Sequence, residues 1–200
     1  LQIPFTAVSI SFKVDAEDRF AVENLLQESN QILAESNLKK TFVHKYILVS
    51  QDRFLQTKTL LKNNIRNCRI MDLNLASVWF HSCFGQKEQL VISGLGPDEY
   101  CGCYARFKQQ MTELEKKIRI NEAINGINER NIQRDYQIGR LLKKRFAYPF
   151  LSYKVHQEFL YQQQTDLLQD KTIIRQELQK FGYSEKVWNR PKKAAQFGSG

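Results

Sequence analysis

Residues 69–85, RIMDLNLASVWFHSCFG, decide how the rest of this 200-residue chain is read. A second apolar run, QLVISG (89–94), and the loop GLGPDEYCGCY (94–104) follow them. Taken at a period of two, Leu73, Leu75, Trp79, His81 and Cys83 share one face. Asn74, Ala76, Val78, Phe80, Ser82 and Phe84 share the other. The second half is apolar on both faces, which predicts a long strand over Ile70–Phe84 near the middle of a sheet. Gly85-Gln86-Lys87-Glu88 then predicts a hairpin turn into a strand over Gln89–Ser93.

Upstream of this stretch, Thr6 to Val14 alternates apolar and polar residues, the pattern of a half-buried strand. Asp15 can cap a following helix to about Ser36, with Phe20, Val22, Leu25, Leu26, Ile32 and Leu33 as its apolar stripe. Thr41–Ser50 predicts a second strand and Gln51 to about Asn64 a second helix. The two units resemble each other. Asp18-Arg19-Phe20 and Asp52-Arg53-Phe54 lie 34 residues apart, and Leu25-Leu26 and Leu60-Leu61 lie 35 apart. Such spacing points to a duplicated strand–helix unit. It is equally explained by two helices that each begin with an acid near the positive end of the dipole.

Downstream, the period becomes helical from Tyr104. Phe107, Met111, Leu114 and Ile118 form one stripe, and Ile120, Ile124, Ile127, Ile138 and Leu141 continue it with a shift. Gly126 weakens a helix by about 1 kcal/mol and predicts a kink there. A helix to about Phe146 precedes Pro149, and a last long helix spans about Phe150 to Phe181, closed by Gly182. Leu160, Leu167, Ile174 and Phe181 recur every seven residues there and predict packing against the preceding helices. The expected class is therefore α+β: an N-terminal mixed sheet of order β-α-β-α-β-β (1–103), then a mainly helical C-terminal half. That half divides into a basic helical region (104–183) and a basic flexible tail (184–200), whose last residues, 198–200, have the composition of a cloning scar.

Composition narrows the function classes. At 42% hydrophobic residues the chain can build a core, which argues against wholesale disorder. Four cysteines without a framework of spacings predict a reducing, intracellular, cytoplasmic setting and not a disulfide scaffold. The first residues lack a signal peptide's basic region, and no apolar run nears the roughly 18 residues of a spanning helix. The formal charge of +9 is unevenly placed. Residues 1–103 hold 11 Lys+Arg against 11 Asp+Glu, whereas residues 104–200 hold 19 against 10. All of the excess lies in the second half, which predicts an anionic partner: nucleic acid first, an acidic protein next.

Three sets of residues carry candidate chemistry. Arg140, Lys143, Lys144, Arg145, Tyr148 and Lys154 put cations beside aromatic residues, a pattern suited to phosphates and unpaired bases. Lys116, Lys117, Arg119, Arg130 and Arg134 extend the positive charge along the preceding helices. A second set is His81, Cys83, Cys101 and Cys103: on a strand and an extended loop, residues two apart point the same way, and four such ligands would close a structural zinc site. The commoner reading of the same four residues is a packed core with redox-silent thiols. Asp72, His81 and Cys83 form a third, enzymatic set, but no general acid–base pair follows from their spacing and no catalytic residue is assigned. Ser93-Gly94-Leu95-Gly96-Pro97 lacks the glycine and lysine pattern of a phosphate loop. The expected function is a non-catalytic nucleic-acid-associated protein that contacts phosphates through its basic half. The alternatives are an assembly subunit that uses the C-terminal helices, and an enzyme.

Overall fold

Residues 5–14, 16–37, 42–66, 69–103, 111–162 and 171–191 are described by a computed structural model. The chain opens with β1 (Phe5–Ser11), α1 (Glu17–Glu35), β2 (Phe42–Leu48) and α2 (Gln51–Asn64), in the expected order. The two strands are parallel, in register from Phe5 opposite Phe42 to Ser11 opposite Leu48. A Val49 N–H bond to the Ser11 carbonyl (2.8 Å) continues the pairing. Glu17 and Asp18 place acids in the first turn of α1, where the helix dipole favours them. The Ser50 hydroxyl accepts from the Arg53 N–H and starts α2. The two Asp-Arg-Phe triplets thus occupy equivalent first turns, but their surroundings differ. Phe54 packs edge-on to Phe12, with ring centroids 4.8 Å apart, while Phe20 is exposed and Arg19 lies over the Tyr46 ring.

The stretch that opens the sequence argument is a helix. α3 runs from Ile70 to Cys83, not as the strand expected over Ile70–Phe84. The buried residues of this helix are Leu73, Ala76, Ser77, Phe80, His81 and Cys83; the first four follow the three- and four-residue spacing of one helical face, with His81 and Cys83 at its opposite edges. Apolar neighbours such as Trp79 and Val78 fill the flanks of that face and mimic a strand buried on both sides. Asp72 supplies a start signal by accepting a bond from the Arg69 N–H (3.2 Å). No hairpin follows, because the chain leaves a helix at Phe84 and turns through Gly85 at φ 74°.

β3 (Leu90–Ile92) instead pairs in parallel with β4 (Arg145–Ala147). Among the described residues, two separate two-stranded parallel sheets therefore replace the single four-stranded mixed sheet. The α+β class stands, with a small sheet at the N-terminal end and a helical C-terminal half. α1 and α3 both pack against β1, and α3 packs against α2 and α6.

After the short α4 (Pro97–Tyr100), α5 runs from Glu113 to Asn125. Thr112 and Glu115 cap it reciprocally, each side chain bonding the other's backbone N–H. The break expected near Gly126 is a stretch of wider turns, Asn128–Ile132, of the kind that frees carbonyls from the helical ladder. α6 (Gln133–Leu142) ends in β4 and does not continue as helix to Phe146. Pro149–Leu151 forms a single tight turn, followed by α7 (Tyr153–Gln162), α8 (Thr172–Lys180) and α9 (Glu185–Trp188). The long helix expected over about 150–181 is therefore not continuous: it begins only after that turn, and α8 starts anew after Lys171, which is held in the left-handed region at φ 63°. The expected helix start at 104–110, and Leu167 of the seven-residue repeat, lie outside the described residues.

Gly182 closes α8 as expected, at φ 88°. The Tyr183 N–H reaches the Leu178 carbonyl and the Gly182 N–H the Gln179 carbonyl. Residues 184–191 fold back on α1: Ser184 bonds Glu28, Tyr183 bonds Ser29, and Arg190 pairs with Asp18.

Three clusters of buried side chains form among the described residues, the smallest of them Ile120 and Ala123 on α5. Leu61, Ile65, Leu73, Ala76, Phe80 and Ile138 join α2, α3 and α6, with Trp79 and Leu142 at their edge. Tyr100, Cys101, Cys103 and Phe159 form the second, flanked by Ile124, Phe150, Ile173 and Ile174. Contacts therefore run freely across residue 103.

Candidate functional site

The first core leaves a cleft on its polar side. Once residues 70–83 form a helix, the short connection from α2 to α3 brings Arg66 and Arg69 beside the wide turns and α6. The resulting cleft, of about 820 Å³, is lined by Arg66, Arg69, Arg130, Arg134 and Arg140. Two carboxylates, Asp72 and Glu129, and the ring of Tyr136 share its walls. With the buried Arg134 compensated by Asp135, four guanidinium groups face two acids, which leaves a positively charged surface suited to an anion.

The five arginines divide by what already engages them. Arg134 is buried and donates through Nε and Nη2 to Asp135 Oδ1, at 3.0 and 2.8 Å. Asp135 Oδ2 accepts from the Tyr148 hydroxyl. Burial pushes the Asp135 carboxyl up against the pull of the Arg134 guanidinium. The Tyr148 hydroxyl is also pushed up, by burial first and by Asp135 next.

Arg130 folds over the break in the helix, donating to the carbonyls of Gly126 (3.2 Å) and Ala123 (2.9 Å). Gly126 leaves the space for it, since a Cβ there would stand 2.7 Å from the Arg130 Cζ. Arg69 makes only a loose pair with Asp72 at 3.7 Å, its own side chain 80% exposed. Arg66 and Arg140 are exposed, and their guanidinium groups have no ion-pair partner among the described residues. The Arg66 backbone is fixed by an N–H bond to Gln137 Oε1 (2.8 Å).

Arg130, Arg134 and Arg140 were expected from sequence to belong to a binding surface, and the structure brings these three together. Arg66 and Arg69 were not anticipated. They sit in the electrically neutral half, where averaging over 1–103 hides them, and only a helical α3 turns them toward α6.

The remaining basic candidates lie elsewhere. Lys117 and Arg119 are exposed on α5 and Lys116 is half-buried there; Lys143, Arg145 and Lys154 are exposed. None of these six lines the cleft. Lys144 turns inward, and its Nζ donates to the carbonyls of Gln86 and Glu88 at 2.6 Å each. Tyr148 stacks on Phe146 and spends its hydroxyl on Asp135.

The geometric reason for a metal site changes with α3. Two residues apart on a helix are about 200° apart around its axis, so His81 and Cys83 do not share a face. Among the described residues, no three His, Cys, Asp or Glu side chains group so as to hold a metal ion. His81 is buried against Phe12 and Phe80. Burial lowers its pKa to about 4, with Arg53 adding to the effect. Cys83, Cys101 and Cys103 are buried. Burial pushes the Cys83 thiol up to about 11, and the Cys103 contact raises that of Cys101, followed by burial. Asp72 stands in the first turn of α3 and His81 nine residues on, ~14 Å along the axis. These side chains do not form one acid–base centre.

No protein-family model and no curated protein matches this sequence.

Proposed function

We propose that this is a non-catalytic nucleic-acid-binding protein that holds phosphates in the arginine cleft. The observation that supports it is the convergence of Arg66, Arg69, Arg130, Arg134 and Arg140 on one concave surface. Arg66 and Arg140 serve as the phosphate contacts, because their charge is exposed and not engaged by a carboxylate among the described residues. Arg130 and Arg134 build the walls. Guanidinium groups stay protonated at any physiological pH and present a rigid fork of donors, so they hold phosphate oxygens and do not shuttle protons. Lys143, Arg145 and Lys154 lie outside the cleft and extend contact along a bound strand.

Filter binding or mobility shift over a salt series tests this. The expected result is binding at low salt that weakens steeply as salt rises, since neutralised phosphates release counterions. Arg66→Ala with Arg140→Ala should weaken binding and flatten the salt dependence. Absence of binding to DNA and RNA at low salt would end the proposal.

An assembly role is the second reading, favoured by Leu114 (69% exposed) and Ile118 (50% exposed), one turn apart on α5. Light scattering with Leu114→Glu and Ile118→Glu tests it: a wild-type monomer at all concentrations would exclude self-association through this stripe.

A further inference from the structure

Tyr136 stands among the arginines on the same cleft wall, 60% exposed, and no hydrogen bond engages its hydroxyl among the described residues. An aromatic ring left open to solvent on a cationic wall is costly in apolar exposure, and its π-face is complementary to a nucleobase. Leu141, on the same helix and lining the same cleft, adds an apolar edge beside it.

The volume, about 820 Å³, falls within the roughly 300–1,000 Å³ that suits a compact ligand lodged in a protein. A duplex keeps its base faces stacked inside a convex cylinder and offers phosphates and groove edges but no open base face. An unpaired strand can offer both phosphate and base. Tyr136 is the fourth residue of α6 and Arg140 stands one turn further on, so ring and guanidinium lie on neighbouring turns of one helix face. That spacing matches a nucleotide's own separation of base and phosphate in kind: one apolar, flat group and one anionic group joined by a short linker.

We infer that the cleft takes an unpaired nucleotide of a single strand, with its phosphate held by Arg66 and Arg140 and its base stacked on Tyr136. This rests on the nucleic-acid reading above and specifies the form of the ligand.

Fluorescence anisotropy with a labelled 12-nucleotide oligothymidylate and a duplex of equal length, at low salt, tests it. The single strand should bind more tightly than the duplex. Tyr136→Ala should weaken single-strand binding about tenfold, within the range of one base stacked on one aromatic residue, and leave duplex binding unchanged. Tyr136→Phe keeps the ring and should restore affinity, which separates stacking from a loss of fold. Arg66→Ala with Arg140→Ala should reduce the single-strand salt slope by about 1.4, the value for two lost phosphate contacts. If the duplex binds as well as the strand, or Tyr136→Ala leaves strand affinity unchanged, the stacking site is wrong while phosphate binding stands. If neither probe binds, the reading beneath it fails as well.

Discussion

Gly139 lies directly beneath the carbonyl of Lys144: a Cβ added to Gly139 would stand 2.7 Å from that oxygen. The chain reverses here through Lys143, held in the left-handed region at φ 55°. The Lys144 N–H then bonds the Gly139 carbonyl at 2.8 Å, and the Lys143 N–H the Arg140 carbonyl at 3.4 Å. This is the closure that usually places glycine at the left-handed residue; here the glycine sits four residues earlier, where the returning chain crosses the helix.

Gly139→Ala should therefore destabilise the fold by about 1–3 kcal/mol of overpacking, which exceeds the ~1 kcal/mol that alanine gains in helix propensity. Lys143→Gly should be neutral or stabilising by up to about 1 kcal/mol, since it removes a side chain from the left-handed region. Thermal unfolding followed by circular dichroism checks both. A Gly139→Ala protein that melts at or above the parent temperature would show that the turn relaxes freely.

This closure also marks what the sequence could reveal. The β-α-β-α opening is legible because alternation in Thr6–Val14 and the helical stripe from Phe20 to Leu33 agree with each other; Asp15, the expected cap of α1, lies outside the described residues. The α3 helix was hidden because its apolar residues cover more than one face, so both periods fit and only its length favours a helix. That one assignment moved two ligand candidates off a common face and brought Arg66 and Arg69 into the cleft. β4 is equally hard to foresee, because three residues after a helix end acquire strand character only from β3, more than fifty residues away in sequence. Charge asymmetry pointed to Arg130, Arg134 and Arg140 but could not separate groups that bind from groups that hold the fold.

Arg134 and Asp135 provide a test of that separation. Both are buried, at 7% and 1% exposure, so each depends on the other for a counter-charge. Asp135→Asn should cost about 3–5 kcal/mol by leaving the guanidinium uncompensated. Arg134→Met with Asp135→Leu should lose much less than the single change, because neither charge remains buried. Urea unfolding of both single variants and of the double variant decides it; a double-variant loss equal to the sum of the two single losses would mean that the pair is not coupled.

Lys143 and Lys144 are neighbours with opposite duties. Lys143 is exposed, whereas the Lys144 ammonium bonds the carbonyls of Gln86 and Glu88. Lys144→Met should lower stability by about 1–3 kcal/mol through two lost charge-assisted bonds while nucleic-acid affinity at the cleft changes little. Lys143→Gly should do the reverse, weakening binding at low salt without lowering the melting temperature. Paired melting and mobility-shift measurements distinguish the two, and a loss of stability in Lys143→Gly would assign it a structural part.

His81 should make stability fall on the acid side. Its imidazole is 3% exposed, and Nε2 has no hydrogen-bond partner among the described residues. Its pKa falls from 6.5 to about 4, by burial first and the Arg53 charge second. Between those values the unfolded chain takes up a proton that the folded chain refuses. Stability from this group therefore rises with pH across the window, is complete above 6.5 and declines as pH falls toward 4. The full effect is at most roughly 3 kcal/mol. His81→Leu removes the titration and the unpaired nitrogen together, so it should be neutral or stabilising at pH 7 and should flatten the decline on the acid side. Urea midpoints of parent and variant over pH 4–8 read this directly, and parallel curves would place the acid sensitivity in another group.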